Sequence, residues 1–242
     1  RMPRFFCTQR QGDGFLIQGE DARHLARSLR MAKGEEITVC DGQGNDYRCV
    51  LTEFQGDQLV VAKVLEQHPS TTEPSVAVHL FQALPKGDKM EWIVQKAVEI
   101  GVQSITPVLT EFCISRPDAK SAAKKQERYQ RIALEAAKQA GRGIIPQIRP
   151  LLTFQEALQE MQKADQALFF YEHATEPLQD LPSSLESLSL LVGSEGGFSP
   201  REVQQIEGTG TIRTLSMGPR ILRCETAALC GVTLAMVRTG NL

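Results

Sequence analysis

The stretch Leu191-Val-Gly-Ser-Glu-Gly-Gly-Phe-Ser-Pro200 reads as the end of a strand, a glycine turn and the start of a helix. The preceding run from Leu188 gives it the apolar character of a fully buried strand. Gly193, Gly196 and Gly197 expose backbone where side chains would block a ligand. Ser199 predicts a helix cap, with Pro200 at the first helical position and Glu202 closing a capping box. A buried strand, a glycine turn and a capped helix make a ligand-binding corner of α/β proteins. A second unusual stretch follows, Leu215-Ser-Met-Gly-Pro-Arg-Ile-Leu-Arg-Cys-Glu-Thr-Ala227.

Working outward, residues 74–242 alternate strand and helix patterns. Strands are predicted at Val76–Leu84, Ile105–Leu109, Ile144–Ile148, Ala167–Tyr171, Leu188–Val192 and Ile212–Leu215. A helix capped by Asp88 and Glu91 runs to Gly101, and a longer one spans Ser121–Ala140. That order implies a mostly parallel sheet covered on both faces. Residues 1–70 differ: short strands separated by glycine turns suggest a small β-barrel, and His68–Pro74 reads as the linker. One helix interrupts this unit, from Asp21 to Met31, with Arg23, Arg27 and Arg30 along one face. The stripe is either a contact for a phosphate backbone or a solvated face; periodicity alone does not choose. The last helix, Glu225–Arg238, lacks a polar face over Ala227–Val237. Such a helix is covered on more than one side, by a second copy of the chain in a two-fold homodimer or by the chain itself.

The 242 residues suffice for one large or two modest domains, and 41% hydrophobic with 23% charged residues exclude disordered and fibrous classes. A net charge of −2 leaves nucleic-acid binding to a local patch. Six scattered cysteines form no Cys-x-x-Cys pair, which argues for reduced thiols in a cytoplasmic protein and against a metal site. No signal peptide opens the sequence and no apolar run reaches bilayer length, so no membrane partner is expected. P-loop, dinucleotide and zinc-protease motifs do not occur, and Ser194 lacks the spacing of a nucleophile elbow.

The glycine turn carries one charge, Glu195, which disfavours a bound phosphate and suits a neutral or cationic ligand. In the second stretch Gly218-Pro219 fixes a turn, and Arg220 and Arg223 bracket Ile221-Leu222. Two arginines beside a glycine corner suggest an electropositive site. The residues alone point to a small ligand of mixed apolar and cationic character, next to something anionic. They name no reaction.

The whole chain, however, resembles the SPOUT class of S-adenosyl-L-methionine-dependent RNA methyltransferases, and within it the bacterial 16S ribosomal RNA uridine-N3 methyltransferase family (RsmE type). The stretches that carry this are Met2-Pro-Arg-Phe-Phe6, His24–Met31, Lys86-Gly-Asp-Lys-Met-Glu91, Gln95–Gly101, Ala136–Arg142, Val192–Gly197 and Gly218–Ala227. Ser194 and Cys224 depart from it, standing where the family usually has proline and threonine.

The resemblance implies an N-terminal PUA-like barrel for RNA and a C-terminal α/β domain (74–242) tied in a deep trefoil knot, a topology that general rules argue against. It implies a cofactor held near Tyr171, at Leu191, Gly193, Glu195, Gly196 and Gly197, and at Leu215, Met217, Gly218, Ile221, Leu222, Arg223, Thr226 and Ala227. RNA contacts are expected from Arg4, Arg23, Arg27, Arg30, Lys86, Lys89, Arg142 and Arg220, with Arg142 supplied across an obligate dimer. Arg223 is the expected catalytic cation, and Glu195 a lesser candidate that equally well organises its loop. The substrate would be 16S rRNA of the small ribosomal subunit. Other readings are a knot methyltransferase acting on another rRNA or tRNA nucleotide, and an RNA-binding protein without catalysis.

Overall fold

The computed structural model describes residues 2–242 in two compact units. One runs to Glu73 and takes in Ala137–Ile145; the other is Pro74–Ala136 with Pro146–Leu242.

The first unit is a six-stranded sheet in the order β1 (Arg4–Phe6), β4 (Glu36–Cys40), β5 (Asn45–Gln55), β6 (Leu59–Pro69), β3 (Gly14–Gln18) and β2 (Arg10–Gln11). All pairs are antiparallel except β1 with β4. Alternate residues such as Ile37, Val39, Cys49 and Leu51 bury one face around Phe15, Ile17 and Leu25. Two register shifts in β5 bend it, which lets a single sheet wrap that core.

The helix predicted to reach Met31 is shorter. α1 (Gly19–Arg23) passes into one π-helical turn, His24–Ser28, and Arg30 adopts φ 52°. Arg30 therefore lies beyond the helix, and the three-arginine stripe is not a single helical face.

The units divide at Glu73 and Pro74, but the expectation that all of 74–242 forms one unit is corrected, because Ala137–Ile145 joins the barrel-like unit. Glu73 explains why: its carboxylate accepts from the Arg142 guanidinium and from the backbone N–H of Gly143 and Ile144.

The second unit is a parallel sheet in the order β10 (Leu152–Thr153), β8 (Ser104–Leu109), β7 (Ala77–Ala83), β12 (Ser187–Val192), β11 (Gln166–Phe170) and β13 (Ile212–Leu215), with β9 (Gln147–Ile148) also on β8. Buried on both faces, its central strands are near-continuous apolar runs. In α2 (Lys89–Ile100) the predicted stripe Met90, Ile93, Val94, Ala97 and Val98 is fully buried. Asp88 makes no side-chain cap there, and Glu91 pairs with Arg128 instead. α3 spans Ala119–Ala140. α4 (Phe154–Met161), absent from the sequence pattern above, starts at a capping box of Thr153 and Glu156. In α5 (Pro200–Gly208) the predicted Ser199–Glu202 box forms, with Pro200 in the first turn.

From β13 at the sheet edge the chain returns through residues 216–223 to α6 (Cys224–Arg238), which packs on α2, β12 and β7 in the trefoil-knot-like arrangement. Ala228, Gly231, Val232, Ala235 and Met236 bury one side of α6. Gly231 is small because any Cβ there would lie 3.0 Å from the Phe170 ring. Its other side is left open: Cys230, Thr233 and Leu234 are half-buried and Val237 is 49% exposed. Among the described residues no helix is long and apolar enough to cross a membrane.

Candidate active site

Parallel strands leave their C-terminal ends free for ligands, and here the ends of β11, β12 and β13 open on a cleft of about 460 Å³. Tyr171 follows β11 into it. Gly193, Glu195, Gly196 and Gly197 follow β12. Met217, Gly218, Arg220, Ile221, Leu222, Arg223 and Ala227 come from the stretch after β13. Three segments separated in sequence therefore line one cleft. Leu191 and Leu215 are fully buried and off the wall, and Thr226 is exposed beside it.

The glycine loop is shaped by close approach. A Cβ on Gly193 would sit 2.8 Å from the Phe198 ring, and one on Gly196 would sit 2.8 Å from Phe112 Cβ and 3.0 Å from its carbonyl oxygen. Gly197 lies at φ 65°, and its N–H donates to the Ser194 carbonyl. Glu202 ties the following helix to the loop after β8, its carboxylate accepting from Ser199 N–H and Glu111 N–H. On the other wall Tyr171 stacks on Phe169, with ring centroids 5.4 Å apart, and Phe198 meets Phe169 edge-on.

Glu195 has a definite job. Its carboxylate accepts from Lys86 N–H at 3.1 Å and from Lys89 Nζ at 2.8 Å, bolting the loop to the start of α2. Burial pushes this carboxyl up, but the Lys89 ammonium and the backbone N–H groups outweigh it and hold it below the ordinary range. Lys89 is held protonated by the same bond to Glu195, with Glu225 a further 3.9 Å contact. Lys89, expected to bind RNA, is thus a cleft residue occupied by two carboxylates. Burial, helped by its hydrogen bond to Glu225, pushes the Cys224 thiol up to about 12.

Arg220 and Arg223 are exposed on the cleft wall. Arg223 is the N-cap residue of α6, its carbonyl accepting from Ala227 N–H. Of the other expected RNA contacts, Lys86, Arg23 and Arg30 have exposed side chains, and Arg27 pairs with Asp57 while 74% exposed. Arg4 is tied to Asp46 and the Arg142 carbonyl. Arg142 is corrected outright: it is 2% exposed and forked onto Glu73, which removes it as a clamp for RNA. Residues that the sequence did not single out as site residues also line the cleft, namely Phe170, Glu172, Val192, Ser194, Phe198 and Cys224. For Ser194 and Cys224 a signal existed, since both depart from the family pattern.

The lining suits S-adenosylmethionine by its own chemistry. Glycine backbone, Tyr171, Met217 and Leu222 offer apolar and main-chain contacts. Ser194 Oγ is buried without a partner, a state that costs about 1–3 kcal/mol. Among the described residues no three His, Cys, Asp or Glu side chains are placed to hold a metal.

Known proteins resemble the chain over almost all of its length. The model of an RNA methyltransferase domain matches residues 72–236, and that of an RNA methyltransferase PUA domain matches residues 17–64. Ribosomal RNA small subunit methyltransferase E of Bacillus subtilis is 34% identical over 234 residues, covering 93% of this chain and 90% of its own. The crystal structure of the Neisseria gonorrhoeae protein of that name, bound to S-adenosyl methionine, superposes with TM-score 0.84 at 31% identity, covering 98% of both chains. A putative methyltransferase from Legionella pneumophila, in complex with the same cofactor, gives TM-score 0.84 at 30% identity over 98% of both.

Proposed function

The chain belongs to the ribosomal RNA small subunit methyltransferase E family, and on that premise we propose that it methylates N3 of a specific uridine in 16S ribosomal RNA, using S-adenosylmethionine. The observation that carries this reading is the meeting of the glycine loop and the exposed pair Arg220 and Arg223 on one cleft.

Bound S-adenosylmethionine supplies an electrophilic methyl group. Uridine N3 carries a weakly acidic proton, which passes to solvent before N3 attacks; the N3–C bond forms as the S–C bond breaks, and S-adenosylhomocysteine leaves with the electron pair on sulfur. The charge left on loss of the proton spreads over N3 and the two flanking carbonyl oxygens. Arg223, at the cleft edge and fixed by its backbone at the start of α6, is the cation for that charge, in the manner of an oxyanion hole. Arg220 steadies the RNA. Glu195, committed to Lys89 and the Lys86 N–H, organises the loop and is not the base. Much of the rate comes from alignment of the two reactants.

The open side of α6 supports a homodimer through that helix, with Val237 at the seam. Val237→Lys should convert the dimer to monomer in sedimentation; an unchanged mass removes α6 from the interface.

The deciding measurement is nucleoside mass spectrometry of 16S rRNA, presented naked and as small subunits from a strain lacking the modification. One new 3-methyluridine is expected. Methylation at another position, or none alongside measurable cofactor binding, overturns the assignment.

A further inference from the structure

Among the described residues two buried side-chain polar atoms lack a hydrogen-bond partner, Gln82 Oε1 and Ser194 Oγ. Buried polar groups are seldom left so, and both residues adjoin Gly193: Gln82 bonds its carbonyl and Ser194 follows it in sequence. Gln82 is fully buried near the end of β7, in register with Val192. Its Nε2 donates to the Ala83 carbonyl at 2.9 Å and the Gly193 carbonyl at 3.2 Å. Two acceptors fix the amide's orientation, since the flipped group would set oxygen against both carbonyls. Oε1 is therefore an acceptor in want of a donor. Ser194, 8% exposed, belongs to the cleft wall. Its hydroxyl has one proton to give and lone pairs to accept with.

We propose that Ser194 contacts the cofactor and Gln82 positions it: in the loaded site the Ser194 hydroxyl accepts from an amino or hydroxyl group of the cofactor and donates to Gln82 Oε1. One ligand donor then satisfies both orphaned atoms, and the Gly193 carbonyl is held while it does so. This rests on the methyltransferase reading above and adds two residues to it. A side chain at 194 that merely shaped the turn would need no hydroxyl, and the two bonds of Gln82 Nε2 account for its amide nitrogen but leave its oxygen without a partner.

The test is calorimetric binding of S-adenosylhomocysteine to the full chain and to Ser194→Ala, Gln82→Met and the double variant, with melting temperatures taken with and without ligand. Each single variant should weaken binding about five- to tenfold. The double variant should be no weaker than the singles, because the two side chains act as one chain of hydrogen bonds. The ligand-induced rise in melting temperature should shrink in step. Binding within about twofold of wild type for Ser194→Ala overturns the proposal. So does a purely structural pattern, in which free and loaded melting temperatures fall equally. If Gln82→Met fails to fold, Ser194→Ala decides alone. Wild-type protein that does not bind S-adenosylhomocysteine would instead sink the underlying reading. Methylthioadenosine, which lacks the amino-acid end, locates the donor: an equal loss with it puts the contact on the nucleoside, and a loss confined to S-adenosylhomocysteine puts it on the amine.

Discussion

Residues 193–197 and residues 216–223 line the same cleft, and the chain treats them differently. The first are clamped by Gln82 from β7, Lys86 and Lys89 at the start of α2, and Phe112 beyond β8. The second are anchored at Ser216, whose N–H donates to the Glu176 carbonyl, and then run exposed to α6, with Ile221 at 86% exposure. One wall is preformed. The other presents Arg220, Ile221 and Arg223 outward, where a substrate or second subunit can complete it. Under the proposed function both loops wall the cofactor and only the second carries the cation for the substrate's charge, so the two roles can be broken separately.

The largest effect should come from the exposed loop. Arg223→Ala is expected to lower methyl transfer by about 10²–10³-fold while calorimetry shows unchanged cofactor affinity. A matching loss of affinity would move Arg223 from the substrate's charge to the cofactor's wall.

Next is a pair of glycines. Gly196→Ala drives a Cβ into Phe112 backbone and side chain, and overpacking of about 1–3 kcal/mol should cost roughly tenfold or more in cofactor affinity. Gly218→Ala meets nothing within 4 Å and suffers only from φ 98°, so a loss of about fivefold is expected, at the low end of backbone strain. The reverse order would show that the open loop, not the clamped one, shapes the cofactor pocket.

The smallest effect is the pH dependence of the clamp. Glu195 has a folded-state pKa depressed below its ordinary 4.5, so its contribution is present above that value and is lost as pH falls through the lower folded one. Cofactor affinity should hold down to about pH 4.5 and fall below it, and Lys89→Met should weaken binding at neutral pH and flatten that acid limb. An acid limb unchanged in Lys89→Met would mean that Glu195 is not held by Lys89.

The features read correctly from sequence are those with local causes. Ser199 and Glu202 cap α5 because both partners lie within one turn. The stripe of α2 buries as its spacing requires. Asp88 and Glu91 carry the same capping pattern, yet Glu91 is taken by Arg128, 37 residues away. The family resemblance made Arg142 a substrate clamp; Glu73, distant in sequence, removes it from solvent. The arginine series 23, 27, 30 followed an α-helical period that the π-helical turn and the left-handed Arg30 do not keep.

The sequence by itself determined the alternating elements, the glycine corner, the capped helix after it and, by family resemblance, the chemistry. Short-range periodicity and steric rules suffice for the elements and their caps. Only the tertiary structure decided that Lys89 belongs to Glu195, that Phe112 is what Gly196 must be small for, that Ala137–Ile145 serves the barrel-like unit, and that Gln82 and Ser194 are left wanting a partner. Each is a pairing between residues far apart in the chain, and which distant side chain satisfies a charge or fills a space is settled only when the strands are laid side by side.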